Sequence, residues 1–278
     1  MTEHASEVSR GERFGFGDNW RRFLSSVDES RIQQATESLR VWLGVDDLRG
    51  RRFLDAGCGS GLFSLAARRL GATVVSFDYD PASCGCTREL RTRFAGGRED
   101  DWTVSEGSVL DPSFLESLGT FDVVYSWGVL HHTGAIWRAL DLVARRAGAD
   151  GTLFIALYND QGSTSRRWLA VKRAYNALPK PLRFLVLWPS FVALWGPRLA
   201  IETLQGHPGR SWREYARTSR SMSAWRDVVD WVGGLPFEVS RPEQVLEQLR
   251  ERGFTLLRMK TCGGGHGCNE FVFERGRR

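Results

Sequence analysis

Phe53-Leu54-Asp55-Ala56-Gly57-Cys58-Gly59-Ser60-Gly61-Leu62 decides the fold. Apolar residues run into an acid and glycines then fall at every second position. Leu62 to Leu70 continues with helical spacing, so the stretch reads as strand, tight turn and helix. A dinucleotide fingerprint would carry its third glycine one residue later, where backbone meets pyrophosphate at the helix N-terminus. Leu62 stands there, so NAD and FAD are not the expected ligands.

The same alternation continues downstream. Ala72 to Phe77 reads as a second buried strand, ending at Asp78-Tyr79-Asp80-Pro81. Further strand-like runs lead to Val109-Leu110-Asp111, to Ser126-Trp127-Gly128-Val129-Leu130-His131-His132-Thr133, and to Tyr158-Asn159-Asp160. Strands alternating with helices from Arg51 to Tyr158 predict a parallel sheet with right-handed crossovers.

Asp55 to Gly61 resembles the first motif of class I S-adenosylmethionine-dependent methyltransferases. Phe121 to Thr133 resembles the post-strand motif of their small-molecule, quinone-biosynthesis type. The resemblance implies an α/β fold: a Rossmann-like seven-stranded sheet with helices on both faces, binding S-adenosyl-L-methionine. It implies that Gly57, Cys58, Gly59 and Gly61 pass under the amino-acid end of the cofactor, with Asp55 near its ammonium through water. Glycine suits that loop because it allows close approach and positive φ.

Asp78 is then the acceptor for both ribose hydroxyls, since two carboxylate oxygens match two neighbouring donors. Tyr79 is expected beside the adenine, Leu110 as a wall of its pocket, Asp111 at its amino group, and Ser126 among the cofactor contacts. Asp80 and Asp111 each precede a proline and read equally well as helix or turn caps.

Methyl transfer from a sulfonium is an in-line displacement that mainly needs alignment. A base is required only where the acceptor carries a proton, and a histidine near neutral pKa can supply it. The resemblance sets His131 and His132 beside the transferable methyl group. Neighbouring loop residues point apart, so one is expected to face the acceptor and the other to be structural, with the choice open. Tyr158 and Asn159 follow the fifth strand at its C-terminal edge, where open α/β sheets bind ligands. With Trp20 and Trp127 they are the expected acceptor contacts. Phe14 to Trp20, aromatic residues interleaved with glycine, reads either as a lid or as a hydrophobic staple.

Four segments are expected: a helical cap over 1–48, the cofactor-binding core over 49–158, a helical insert over 159–236, and a closing helix with two strands over 237–278. Six of the eleven tryptophans fall in the insert. They suggest either an apolar cover for an aromatic acceptor or mutual packing of insert helices. Its most apolar run, Phe184 to Trp195, is too short to span a bilayer and Pro189 interrupts it, so no transmembrane helix is expected. A substrate lid or a homodimer contact is preferred for that run over peripheral membrane contact.

The formal charge of +5 comes from arginines mixed with acids, which does not make a nucleic-acid stripe. Met1 to Arg13 is polar without an apolar core, so the cytoplasm is the expected compartment. Five cysteines are expected as reduced thiols. Cys84, Cys86, Cys262, His266 and Cys268 lack zinc spacing, so no metal is expected.

The favoured activity is therefore methylation of an O, N or S atom of a small apolar or aromatic metabolite, in secondary or quinone metabolism. An RNA or protein methyltransferase is the alternative. Against it, Ser126-Trp127-Gly128-Val129 stands where exocyclic-amine enzymes carry an Asn/Asp-Pro-Pro-aromatic tetrad. A non-catalytic cofactor-binding scaffold is the remaining reading.

Overall fold

The computed structural model describes residues 3–24, 27–95, 101–218 and 224–276. In chain order the elements begin with α1 (Glu3–Ser9), α2 (Gly17–Leu24), α3 (Glu29–Leu43), β1 (Arg52–Ala56), α4 (Leu62–Arg69), β2 (Thr73–Asp78) and α5 (Pro81–Phe94). They continue with β3 (Trp102–Glu106), α6 (Pro112–Ser117), β4 (Phe121–Trp127), α7 (Ile136–Ala144) and β5 (Ala147–Tyr158). The helices α8 (Ser163–Ala177), α9 (Phe184–Leu204), α10 (Arg210–Thr218) and α11 (Ala224–Gly233) follow. The last elements are α12 (Pro242–Glu251), β6 (Phe254–Lys260) and β7 (Cys268–Arg275). Two compact units result, one of residues 16–161 and 236–278, the other of residues 1–15 and 162–235.

The first unit holds a seven-stranded sheet in the order β3-β2-β1-β4-β5-β7-β6. β1 to β5 are parallel, and β7 runs antiparallel to both β5 and β6. Successive residues of β1 serve opposite faces, as pleating requires. Leu54 joins a core with Phe77, Leu140, Ile155 and Phe271, while Phe53 joins one with Leu39, Leu65, Trp102 and Phe154. Strand order reverses between β1 and β4, and ligands of open α/β sheets bind at the carboxyl ends of strands beside such a reversal.

Local chemistry explains the helix starts. Asp80 caps α5 by accepting the Ala82 N–H at 2.9 Å, ahead of Pro81 in the first turn. Asp111 does the same for α6, accepting from Phe114 N at 3.1 Å, so the capping reading of both acids is realised.

The second unit is helical, and its tryptophans pack on one another. Ring centroids of Trp168 and Trp231 are 5.6 Å apart, those of Trp188 and Trp225 5.7 Å, and those of Trp195 and Trp212 4.7 Å. Mutual packing thus accounts for these residues within their own unit. Lys172 is fully buried beside the Trp231 ring and donates to the Trp231 carbonyl. Asn176, one turn on, donates to the Gly233 carbonyl at 2.7 Å. Two α8 side chains therefore satisfy the carbonyls that end α11.

The expected break at Pro189 does not occur. α9 runs through both Pro189 and Pro197 for 21 residues. The carbonyls these prolines leave without an N–H belong to Leu185 and Ala193, both exposed, where water can satisfy them. Lys180–Leu204 is long and apolar enough to cross a bilayer, by length and composition only. Ser221, Met222 and Ser223 lie outside the described residues, as do Arg277 and Arg278.

Candidate active site

The site is built from the loops at the carboxyl ends of β1, β2, β4 and β5. Gly57, Gly59 and Gly61 all adopt left-handed backbone, at φ 89, 54 and 79°. A Cβ on Gly57 would lie 2.4 Å from Val129 Cγ2, so only glycine lets this turn approach the loop that follows β4. A Cβ on Gly59 would meet the Trp20 indole at 3.0 Å. Trp20 therefore sits directly against the glycine turn. Its helix is tied down by Gly17 N, which donates to Asp80 Oδ2 at 2.8 Å.

Asp55, at the end of β1, is buried and ends a one-way chain of hydrogen bonds. Trp102 Nε1 donates to Ser76 Oγ at 2.8 Å, the Ser76 and Ser64 hydroxyls are 2.7 Å apart, and Ser64 donates to Asp55 Oδ2 at 2.5 Å. Since the indole can only donate and Ser64 spends its proton on Asp55, Ser76 must donate to Ser64. Burial raises the Asp55 carboxyl to about 7.

Asp78 accepts from Gly59 N and Asp80 N, both at 2.9 Å, and burial raises it to about 6. The carboxylate thus rigidifies the glycine turn from the neighbouring strand and keeps acceptor capacity for further donors. Tyr79 is half-buried next to it. Cys58 is buried, and its sulfur accepts from Thr87 Oγ1 at 3.3 Å. On the far side Val109 is buried and Leu110 half-buried, Phe114 packs edge-on to Phe77, and Asp111 is exposed at its cap.

Leu130–His132 forms a single 3-10 turn. The two histidine rings do not diverge as expected, because this turn keeps their centroids 4.5 Å apart. His131 is fully buried, stacks on Tyr158 at 3.7 Å, and accepts the Tyr158 N–H on Nδ1 at 3.2 Å. Its neutral ring therefore carries its proton on Nε2. His132 is the reverse. Its Nδ1 lies 2.7 Å from the Pro236 carbonyl, which can only accept, so Nδ1 holds the proton and the ring's lone pair is on Nε2. Only His132 is in the tautomer that presents a basic Nε2.

Aromatic rings surround this pair. Phe16 lies 4.9 Å from His132, and Phe237 lies 5.6 Å from Tyr158. Residues 236–240 form a strap across the strand ends. Pro236 O accepts from His132 Nδ1, Glu238 N donates to His131 O at 3.0 Å, and Ser240 N donates to Tyr158 O at 2.9 Å. The Glu238 carboxylate accepts Ile136 N at 3.0 Å and so caps α7 directly after the histidines.

Other expected contacts point elsewhere. Ser126 is fully buried, and its hydroxyl donates to Ala56 O at 2.8 Å, tying β4 to β1. Trp127 donates its indole N–H to Glu270 on β7 at 3.1 Å. Asn159 accepts from Asn269 Nδ2 at 3.0 Å. The run Pro236-Phe237-Glu238 resembles the family in sequence, but the part Pro236 plays there leaves no residue signature, because it acts through a backbone carbonyl. Phe16 was within reach, since it belongs to the aromatic-glycine run.

The comparisons with known proteins agree with the fold. Residues 27–217 match a family model described as a methyltransferase domain. The chain is 29% identical over 225 residues to the ubiquinone biosynthesis O-methyltransferase of Xanthomonas oryzae pv. oryzae, covering 78% of this chain and 89% of that one. It is 30% identical over 131 residues to the corresponding protein of Agrobacterium fabrum, where the match spans 47% of this chain and about half, 49%, of the relative. Among solved structures, magnesium protoporphyrin IX methyltransferase from Synechocystis with bound S-adenosylmethionine superposes with a TM-score of 0.54. That match has 16% identity and covers 99% and 98% of the two chains.

Proposed function

The chain belongs to the class I S-adenosyl-L-methionine-dependent methyltransferases, and on that premise we propose that it methylates an oxygen of a small aromatic metabolite, with His132 as general base. The observation that carries the reading is the His132 tautomer, held by the Pro236 carbonyl. The left-handed glycine turn, open to close backbone approach, and the Asp78 carboxylate suit the cofactor's amino-acid tail and ribose. Gly57, Cys58, Gly59, Gly61 and Asp78 would hold it, with Tyr79, Leu110 and Asp111 toward the adenine. When bound, S-adenosyl-L-methionine supplies a sulfonium methyl group as the electrophile.

This chain's own residues do the rest. His132 Nε2 would take the proton of an acceptor hydroxyl, and the resulting imidazolium would keep its Nδ1–H on Pro236 O. Phe16, Tyr158 and Phe237 offer flat apolar faces that orient an aromatic ring and exclude water. Holding the oxygen in line is worth on the order of 7–11 kcal/mol of barrier, more than the base contributes. Oxygen is preferred as the acceptor atom because a phenolic hydroxyl needs this base, and because the Xanthomonas and Agrobacterium relatives are named as O-methyltransferases.

The test is transfer from methyl-labelled cofactor to a panel of phenols, amines, thiols and RNA. Label on phenolic oxygen, at a rate that depends on His132, supports the reading. Label on nitrogen, sulfur or RNA instead would overturn it.

A further inference from the structure

A cavity of about 380 Å³ opens at the amino end of β5, lined by Asp141, Ala144, Arg145, Arg252, Phe254 and Arg275. These residues come from the ends of α7, α12 and β7 and from the start of β6, all within the sheet-bearing unit. β7 runs against both β5 and β6, so its carboxyl end meets their amino ends at one edge of the sheet. His132 and Tyr158 belong to the opposite edge. From Thr152 to Tyr158 alone, β5 spans roughly 20 Å. The cavity is therefore separate from the proposed catalytic site.

Three guanidiniums line this cavity with one carboxylate. Asp141 Oδ1 accepts from Arg252 Nε at 2.5 Å and Oδ2 from Arg145 Nη2 at 2.8 Å, so both of its oxygens are engaged. Arg252 also donates to the Gln248 carbonyl at 3.0 Å, and Arg275 to the Ala147 carbonyl at 2.5 Å. Among the described residues these bonds use one N–H each of Arg145 and Arg275 and two of Arg252, out of the five on every guanidinium. Three cations against one anion leave the lining a formal +2. Ala144 and Phe254 are buried and give the cavity apolar wall. Its volume is in the range of small-ligand sites, and a concave, partly apolar wall concentrates the field of the cations.

We propose that this cavity binds a phosphorylated small molecule. A phosphate monoester brings three terminal oxygens and about −1.5 to −2 charges at neutral pH, matching three guanidiniums and a lining of +2. A carboxylate brings two oxygens and one charge, so it leaves one guanidinium and one charge unanswered. The organic part of the ligand rests on Ala144 and Phe254.

The experiment is calorimetric titration of the full chain at low salt with phenyl phosphate, and with benzoate as the carboxylate counterpart. Phenyl phosphate is expected to bind at least about tenfold more tightly than benzoate. Arg145→Gln with Arg275→Gln is expected to weaken phenyl phosphate at least about tenfold. Arg145→Gln alone, at a side chain 61% exposed, leaves the bond between Asp141 and Arg252 in place and is expected to weaken it by a smaller factor. That single variant carries the test if the double variant does not fold. S-adenosyl-L-methionine is expected not to displace phenyl phosphate, since the two sites lie at opposite edges of the sheet. Absence of phenyl phosphate binding, equal binding by the folded variants, tighter binding of benzoate, or displacement by S-adenosyl-L-methionine would overturn the proposal. None of these readouts depends on methyl transfer, so the proposal stands or falls apart from the catalytic one.

Discussion

His132 Nδ1 lies 2.7 Å from the carbonyl oxygen of Pro236, 104 residues away in the chain. Because the carbonyl can only accept, this one contact sets the tautomer and leaves Nε2 as the basic nitrogen. His131, its neighbour, is held in the opposite tautomer by the Tyr158 N–H.

The two histidines should therefore respond differently to substitution. His132→Ala is expected to lower single-turnover methyl transfer by about 10² to 10⁴ with little change in cofactor affinity. His131→Ala is expected to lower the melting temperature, since it empties a fully buried site stacked on Tyr158. Transfer rate, calorimetric cofactor affinity and Tm together separate the two. Equal loss of rate from both with unchanged Tm would contradict the assignment.

Asp55 and Asp78 are raised to about 7 and about 6, chiefly by burial. A carboxyl whose folded pKa is raised holds its proton longer in the folded state. The stability it contributes is full below the unfolded pKa and is lost as pH rises through the folded value. The cofactor-free protein should thus lose Tm between about pH 4 and 7. Cofactor affinity should move the other way through pH 6, because ribose hydroxyls are best accepted by ionised Asp78. Calorimetric titration across that range checks this, and Asp78→Asn should weaken binding and flatten its pH dependence.

The chain Trp102–Ser76–Ser64–Asp55 is fully satisfied and runs in one direction. Ser64→Ala leaves the Ser76 donor and the buried Asp55 carboxyl without their partner, at a cost of about 1–3 kcal/mol in denaturant unfolding. Because the members share one network, Ser64→Ala and Trp102→Phe should be non-additive in a double-mutant cycle.

Lys172 is lowered to about 7 by burial, against the attraction of Asp230. A base with a depressed folded pKa contributes stability that is present above its unfolded value and lost as pH falls through the folded one. Wild-type stability should therefore rise between about pH 7 and 10, by an amount on the order of a few kcal/mol. Lys172→Met should flatten that rise in pH-dependent chemical unfolding.

Much of the fold was legible because it rests on local rules. Apolar runs ending in Asp55 and Asp78, glycines at every second position, and proline after a capping acid at Asp80 and Asp111 each specify strand, turn or helix start within a few residues. The length of α9 was misread for a related reason: proline signals a break locally, yet exposed carbonyls and packing of the other helix face let the helix continue.

The sequence by itself determined the class of sheet, the glycine turn and the adjacency of His131 and His132 after the fourth strand, since all are written in contiguous residues. Tertiary structure alone decided which histidine presents a basic nitrogen and where Ser126 and Trp127 direct their hydrogen bonds. Each depends on a partner far along the chain, Pro236 for His132, Ala56 for Ser126 and Glu270 for Trp127, and hydrogen-bond direction is set by those partners rather than by the residue that carries the ring or hydroxyl.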